Sequence, residues 1–129
     1  MIMKITGRCY CGKIRYEAEG PTLYQTNCHC ENCRRAIGAQ AVAWITVKSE
    51  TFQFLGETPT RYVTDTGATR TFCPHCGSSL TYEIGRREGQ IDIVTASLDH
   101  PEDFPPEQAI YTDEKLPWVI CDAAEKSST

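Results

Sequence analysis

Ile14, Tyr16 and Ala18 alternate with Arg15, Glu17 and Glu19 and run into the breaker pair Gly20-Pro21. That period of two predicts a half-buried strand ending in a turn. Further short runs rich in β-branched and aromatic residues recur at 41–47, 51–55, 60–64, 69–72, 79–84 and 91–96. Asp65-Thr66-Gly67 separates two of them, and Gly85-Arg86-Arg87-Glu88-Gly89 has the chemistry of a hairpin loop between two more. Regularly spaced short strands predict a mainly β, antiparallel architecture. The one helical turn expected in the first half spans Glu31 to Ile37, a stretch free of breakers until Gly38. His100 to Pro106 reads as a proline-rich loop and residues 125–129 as a polar tail, so a single domain is expected over 1–124.

At 129 residues with 40% hydrophobic content, the chain suffices for one core and falls short of two. The start of the sequence has no apolar run suited to a signal peptide, and no stretch approaches the roughly 20 apolar residues of a membrane span. The expectation is a cytoplasmic protein without a membrane partner. A formal charge of -4 and a pI near 5.3 lack the basic footprint of a phosphate-tracking surface, which argues against nucleic acid. In a reducing compartment thiols stay free, so closely spaced cysteines read as metal ligands in preference to a disulfide framework.

Seven of the eight cysteines fall into three clusters: Cys9-Tyr10-Cys11, Cys28-His29-Cys30-Glu31-Asn32-Cys33, and Cys73-Pro74-His75-Cys76. Two pairs, Cys9 with Cys11 and Cys73 with Cys76, make four thiolates, the closed tetrahedral shell of a structural zinc. Cys28, Cys30 and Cys33 supply three and leave a position for water or a substrate. Gly12 and Gly77 follow the second cysteine of each pair and tolerate the positive φ of a tight turn whose N–H groups point at sulfur. Joining the pairs through one metal would pin the first strand to the middle of the sheet. For the triplet an alternative stays open: Cys121, His29, His75 or His100 completes the shell, and the second zinc is structural too.

The runs Gly7 to Tyr16, Cys28 to Gly38 and Arg70 to Ser78, with the closing segment Ile110 to Trp118, resemble the glutathione-dependent formaldehyde-activating enzyme family, which includes centromere protein V. The resemblance covers nearly the whole chain. It implies a β-tent of antiparallel sheets stapled by zinc, with two zinc ions (Zn²⁺) per chain: a structural one on Cys9, Cys11, Cys73 and Cys76, and a catalytic one on Cys28, Cys30 and Cys33. It also implies a carbon-sulfur lyase that reversibly joins glutathione, as co-substrate, to formaldehyde to give S-hydroxymethylglutathione.

A peptide thiol with two carboxylates calls for cationic donors near the triplet. Arg34 and Arg35, adjacent to Cys33, are the candidates for binding it, with Arg70 near the second cysteine pair. Trp44, Tyr24 and Phe72 could line a pocket or serve the core, and Trp118 is expected to pack over the sheet. Two rival functions are weighed: a non-catalytic module with two structural zincs that presents a β surface to a partner, and a redox protein cycling the triplet through disulfides. A nucleobase deaminase is excluded, because the chain lacks the His-x-Glu element that chemistry needs.

Overall fold

The computed structural model describes residues 3–121 and the backbone of residues 124–126. Within them the strands are β1 (Lys4–Arg8), β2 (Ile14–Glu19), β3 (Tyr24–Cys28), β4 (Val42–Lys48), β5 (Gln53–Gly56), β6 (Thr60–Val63), β7 (Ala68–Phe72), β8 (Ser79–Ile84), β9 (Gln90–Val94), β10 (Gln108–Ile110) and β11 (Ala124–Lys126). One helix, α1 (Glu31–Ile37), lies between β3 and β4. The fold is mainly β and largely antiparallel. A small sheet has the order β1-β2-β5, and a large one the order β11-β10-β3-β4-β9-β8-β7-β6. Among the described strands only β10 pairs in parallel, with β3 on one side and β11 on the other.

The alternation in β2 does what its pattern requires. Ile14, Tyr16 and Ala18 are buried in the main core, and Arg15 and Glu19 are exposed. β4 sits in the interior of the large sheet and is covered on both faces, so its run of apolar residues nearly lacks alternation. Ile45 and Val47 face the main core with Ile91, Ile93 and Leu80, and Trp44 joins a second cluster with Cys28, Cys33, Val42 and Val94. The first face is closed by the small sheet; the second carries the cavity described below.

Strand register decides which residues reach that second face. Direct cross-strand pairs link Tyr24 to Thr46, Thr46 to Asp92, Asp92 to Tyr82, Tyr82 to Arg70 and Arg70 to Tyr62, a single row running across the large sheet. Residues directly opposite one another stand on the same side. Between β7 and β8 the register steps from Thr71 opposite Thr81 to Phe72 opposite Ser79, leaving Leu80 as the extra residue of a bulge. The bulge turns Leu80 into the main core while Tyr82 keeps the opposite face.

Trp118, expected over the sheet, is 68% exposed, and its indole N–H donates to the Gln40 side-chain oxygen instead. Of the expected polar tail at 125–129, residues 125 and 126 belong to β11, and residues 127–129 lie outside the described residues. Among the described residues no helix is long and apolar enough to cross a membrane.

Candidate metal centres

Cys9 and Cys11 sit in the turn between β1 and β2, and Cys73 and Cys76 in the turn between β7 and β8. Their four sulfurs all lie within 4.8 Å of one another, with Cys9 to Cys11 at 3.6 Å and Cys11 to Cys73 at 3.8 Å. Sulfurs at about 2.3 Å from a tetrahedral zinc stand about 3.8 Å apart, so the donor set fits that ion. Backbone donors serve the sulfurs from inside each turn: Ile14 N–H to Cys9 Sγ at 3.4 Å and His75 N–H to Cys73 Sγ at 3.3 Å. Gly12 at φ 81° and Gly77 at φ 82° adopt the left-handed conformation that closes these turns, their N–H groups donating to the carbonyls of Cys9 and Cys73. The Ser78 hydroxyl lies 3.3 Å from Cys76 Sγ and accepts from Tyr10 N–H at 2.9 Å, tying the two turns together. That hydroxyl, followed by the Ser78 backbone, holds the Cys76 thiol down to about 5.

The triplet is assembled by a strand end and a helix start. Cys28 closes β3, Cys30 is the N-cap of α1, and Cys33 lies in its first turn. Cys30 Sγ accepts from Cys33 N–H at 3.3 Å, a sulfur in the place where serine or aspartate ordinarily caps. Cys28 and Cys30 sulfurs are 3.3 Å apart, and all three converge within 4.8 Å. Hydrogen bonds from Cys28 and Cys30, with a further contribution from Arg70, hold the Cys33 thiol down to about 3, while the Cys30 and Cys33 sulfurs push Cys28 up. Glu114 fixes the helix from outside, its carboxylate accepting from Glu31 N–H at 2.9 Å, and Gly38 ends it at φ 75°.

No fourth histidine, cysteine, aspartate or glutamate joins the triplet among the described residues. Cys121 Sγ instead lies 3.4 Å from Nε2 of the fully buried His29. His75 stands 3.2 Å from Glu57, and His100 stands 3.4 Å from Glu102.

The two centres differ in what lies beside them. Cys28, Cys30 and Cys33 line a cavity of about 1390 Å³, whereas none of Cys9, Cys11, Cys73 and Cys76 does. Its walls include the cross-strand row from Tyr24 to Tyr62, together with Trp44, Phe72 and Tyr111. Trp44 and Phe72 therefore face the cavity, and Trp44 also packs in the second core cluster. Arg34 and Arg35 stand elsewhere, bordering a shallow depression with Gly38, Gln40 and Leu116, and Arg35 pairs with Glu31 at 2.7 Å.

The cations on the cavity wall are Arg70, Arg86 and Arg87. Arg87 is bound to Asp92, whose other partner is the Thr46 hydroxyl at 2.6 Å. Arg70 Nη2 donates to Cys33 Sγ at 3.6 Å, and its guanidinium lies 4.8 Å above the Tyr82 ring. Tyr111 adopts the left-handed region at φ 55°, a conformation that costs a bulky residue on the order of 1 kcal/mol and marks a constrained wall. Residue type points to Tyr24, Trp44, Phe72 and Arg70, but their meeting on one wall with Thr46, Asp92 and Tyr62 depends on which side each strand turns, and the bulge at Leu80 sets that for β8.

The sequence profile of the glutathione-dependent formaldehyde-activating enzyme family matches residues 4–114. A protein of Halomonas elongata provisionally named a glutathione-dependent formaldehyde-activating enzyme is 26% identical, over 96% of this chain and 85% of its own. A crystal structure of a Rhodobacter sphaeroides protein superposes with a TM-score of 0.62 at 25% identity, covering 76% of this chain and 93% of the other.

Proposed function

The chain belongs to the glutathione-dependent formaldehyde-activating enzyme family, and from that premise we propose that it is a carbon-sulfur lyase acting on a thiol such as glutathione and a small electrophile such as formaldehyde. In this reading Cys9, Cys11, Cys73 and Cys76 hold a structural zinc, and Cys28, Cys30 and Cys33 hold a catalytic one. The observation that carries it is the asymmetry of the two sulfur sets: four sulfurs away from the cavity, three sulfurs on its wall. A zinc ion held by three thiolates supplies a Lewis-acid position that stabilises a sulfur anion.

The chain's own residues do the rest. Cys30 and Cys33 are held rigidly by the capped helix, so the sulfur set presents one fixed geometry to the cavity. Trp44, Tyr82 and Phe72 supply apolar wall against which the body of a thiol substrate packs. The reaction itself is an addition without redox change. The substrate sulfur loses its proton and bonds to the carbonyl carbon, the carbon–oxygen π pair moves to oxygen, and that oxygen takes a proton; cleavage runs the same steps backwards. Holding the two reactants together in the cavity replaces a bimolecular encounter in water.

The reading extends to a single domain over residues 1–124 and to a reducing, cytoplasmic setting that keeps the sulfurs free. Its test is the equilibration of glutathione with formaldehyde, followed by NMR of the S-hydroxymethyl carbon. Acceleration by the zinc-loaded protein and its loss in Cys33→Ser support the proposal. A zinc-loaded protein without effect on the rate in either direction, and to which no thiol binds, is a scaffold and not this enzyme.

A further inference from the structure

A dication held by three cysteine thiolates bears a net negative charge, and a fourth sulfur anion arriving beside them raises that charge further. In a cavity partly shielded from water such a build-up is costly unless a cation stands close by. The cavity wall carries three arginines, and they are not equivalent. Arg87 is matched by Asp92. Arg86 also lines the cavity, but it is Arg70 that touches Cys33 Sγ, at 3.6 Å. Among the described residues no carboxylate forms an ion pair with Arg70, whose partners are the Cys33 sulfur and the face of the Tyr82 ring.

Its placement is built into the sheet. Arg70 lies directly across from Tyr82 on β8 and from Tyr62 on β6, and the guanidinium sits 4.8 Å over the Tyr82 ring. The ring limits the sideways freedom of the long side chain and holds its positive charge beside Cys33.

We propose that Arg70 is a positioning residue that makes the triplet site take its substrate as the sulfur anion, by offsetting the negative charge gathered when a fourth sulfur joins Cys28, Cys30 and Cys33. The proposal rests on the reading of that triplet as an open thiol site. It assigns Arg70 to the sulfur and not to the carboxylates of the substrate, so the preference covers thiols as a class.

Cobalt-loaded protein reports sulfur binding through its sulfur-to-metal charge-transfer absorption, and two probes separate the roles: glutathione, with two carboxylates, and 2-mercaptoethanol, with none. Arg70→Met is expected to bind both probes about tenfold or more weakly, the weight of one charge-assisted hydrogen bond. Metal content and circular dichroism stay those of the wild type, and Arg70→Lys recovers most of the loss. Should the methionine variant not fold, Arg70→Gln, which removes the charge and keeps a donor, takes its place in the same titrations. Undiminished binding of both probes, a loss confined to glutathione, a loss of metal, or a lysine variant as weak as the methionine one would each overturn the proposal. A wild-type protein that takes 2-mercaptoethanol and refuses glutathione would remove glutathione as the substrate and leave the role of Arg70 standing. A wild type that takes neither would overturn both.

Discussion

Gly7 lies on β1 opposite Tyr16 on β2, and a Cβ at this position would meet the Tyr16 hydroxyl oxygen at 2.2 Å and the Ser97 carbonyl at 2.7 Å. The tyrosine ring occupies the space a side chain would use, with its hydroxyl 2.6 Å from Ser97 Oγ. Gly7→Ala is therefore predicted to destabilise the protein by about 1–3 kcal/mol, as overpacking in a core does, seen as a lower urea midpoint at constant m-value. Cys76 is a residue of another kind, since its loss leaves the four-sulfur set one short. Cys76→Ser is predicted to unfold the domain, because a structural zinc contributes on the order of 10 kcal/mol of folding free energy. A soluble, cooperatively melting Cys76→Ser protein would show that this set does not staple the fold.

Helix α1 has seven residues, too few to be stable alone, so its ends decide whether it forms. Cys30 caps it from within, Gly38 closes it, and the Glu114 carboxylate accepts Glu31 N–H from outside. Glu114→Ala is predicted to cost about 0.5–2 kcal/mol, the range of a lost helix cap, and to weaken metal binding at the triplet, measured by competition with a colorimetric chelator. Cys33→Ser should lose one metal and keep the fold, because the triplet draws its sulfurs from one short stretch and closes little of the structure; near-native circular dichroism with a reduced metal count checks this. The helix was legible in the sequence, as were β2, β4 and the strands from β5 to β9, because breakers and alternation mark them. β3, with the sequence Tyr-Gln-Thr-Asn-Cys, has no apolar alternation and is half covered by the parallel strand β10, so nothing local announces either. The cysteine sets were legible because ligand spacing is a local code. The cavity wall was legible only as separate candidates, Tyr24, Trp44, Phe72 and Arg70, since Tyr24, Thr46, Asp92, Tyr82, Arg70 and Tyr62 become neighbours only through the pairing of six strands.

For the whole molecule, the four-sulfur set connects the turn after β1, in the small sheet, to the turn after β7, in the large one. The two sheets also share the main core, so removing that metal is expected to release both together. A strong chelator should therefore produce two events, a first metal leaving with the fold intact and a second leaving as the protein unfolds. The order reflects the ligand count, three sulfurs from one short stretch against four drawn from two turns. The most direct measurement of the central claim is native mass spectrometry of the zinc-loaded protein titrated with glutathione, beside the Cys33→Ser variant. The account predicts two zinc ions per chain, one glutathione added to the wild type, and one zinc with no added glutathione in the variant. Two zinc ions that never accept glutathione, or an equal adduct on Cys33→Ser, would contradict it.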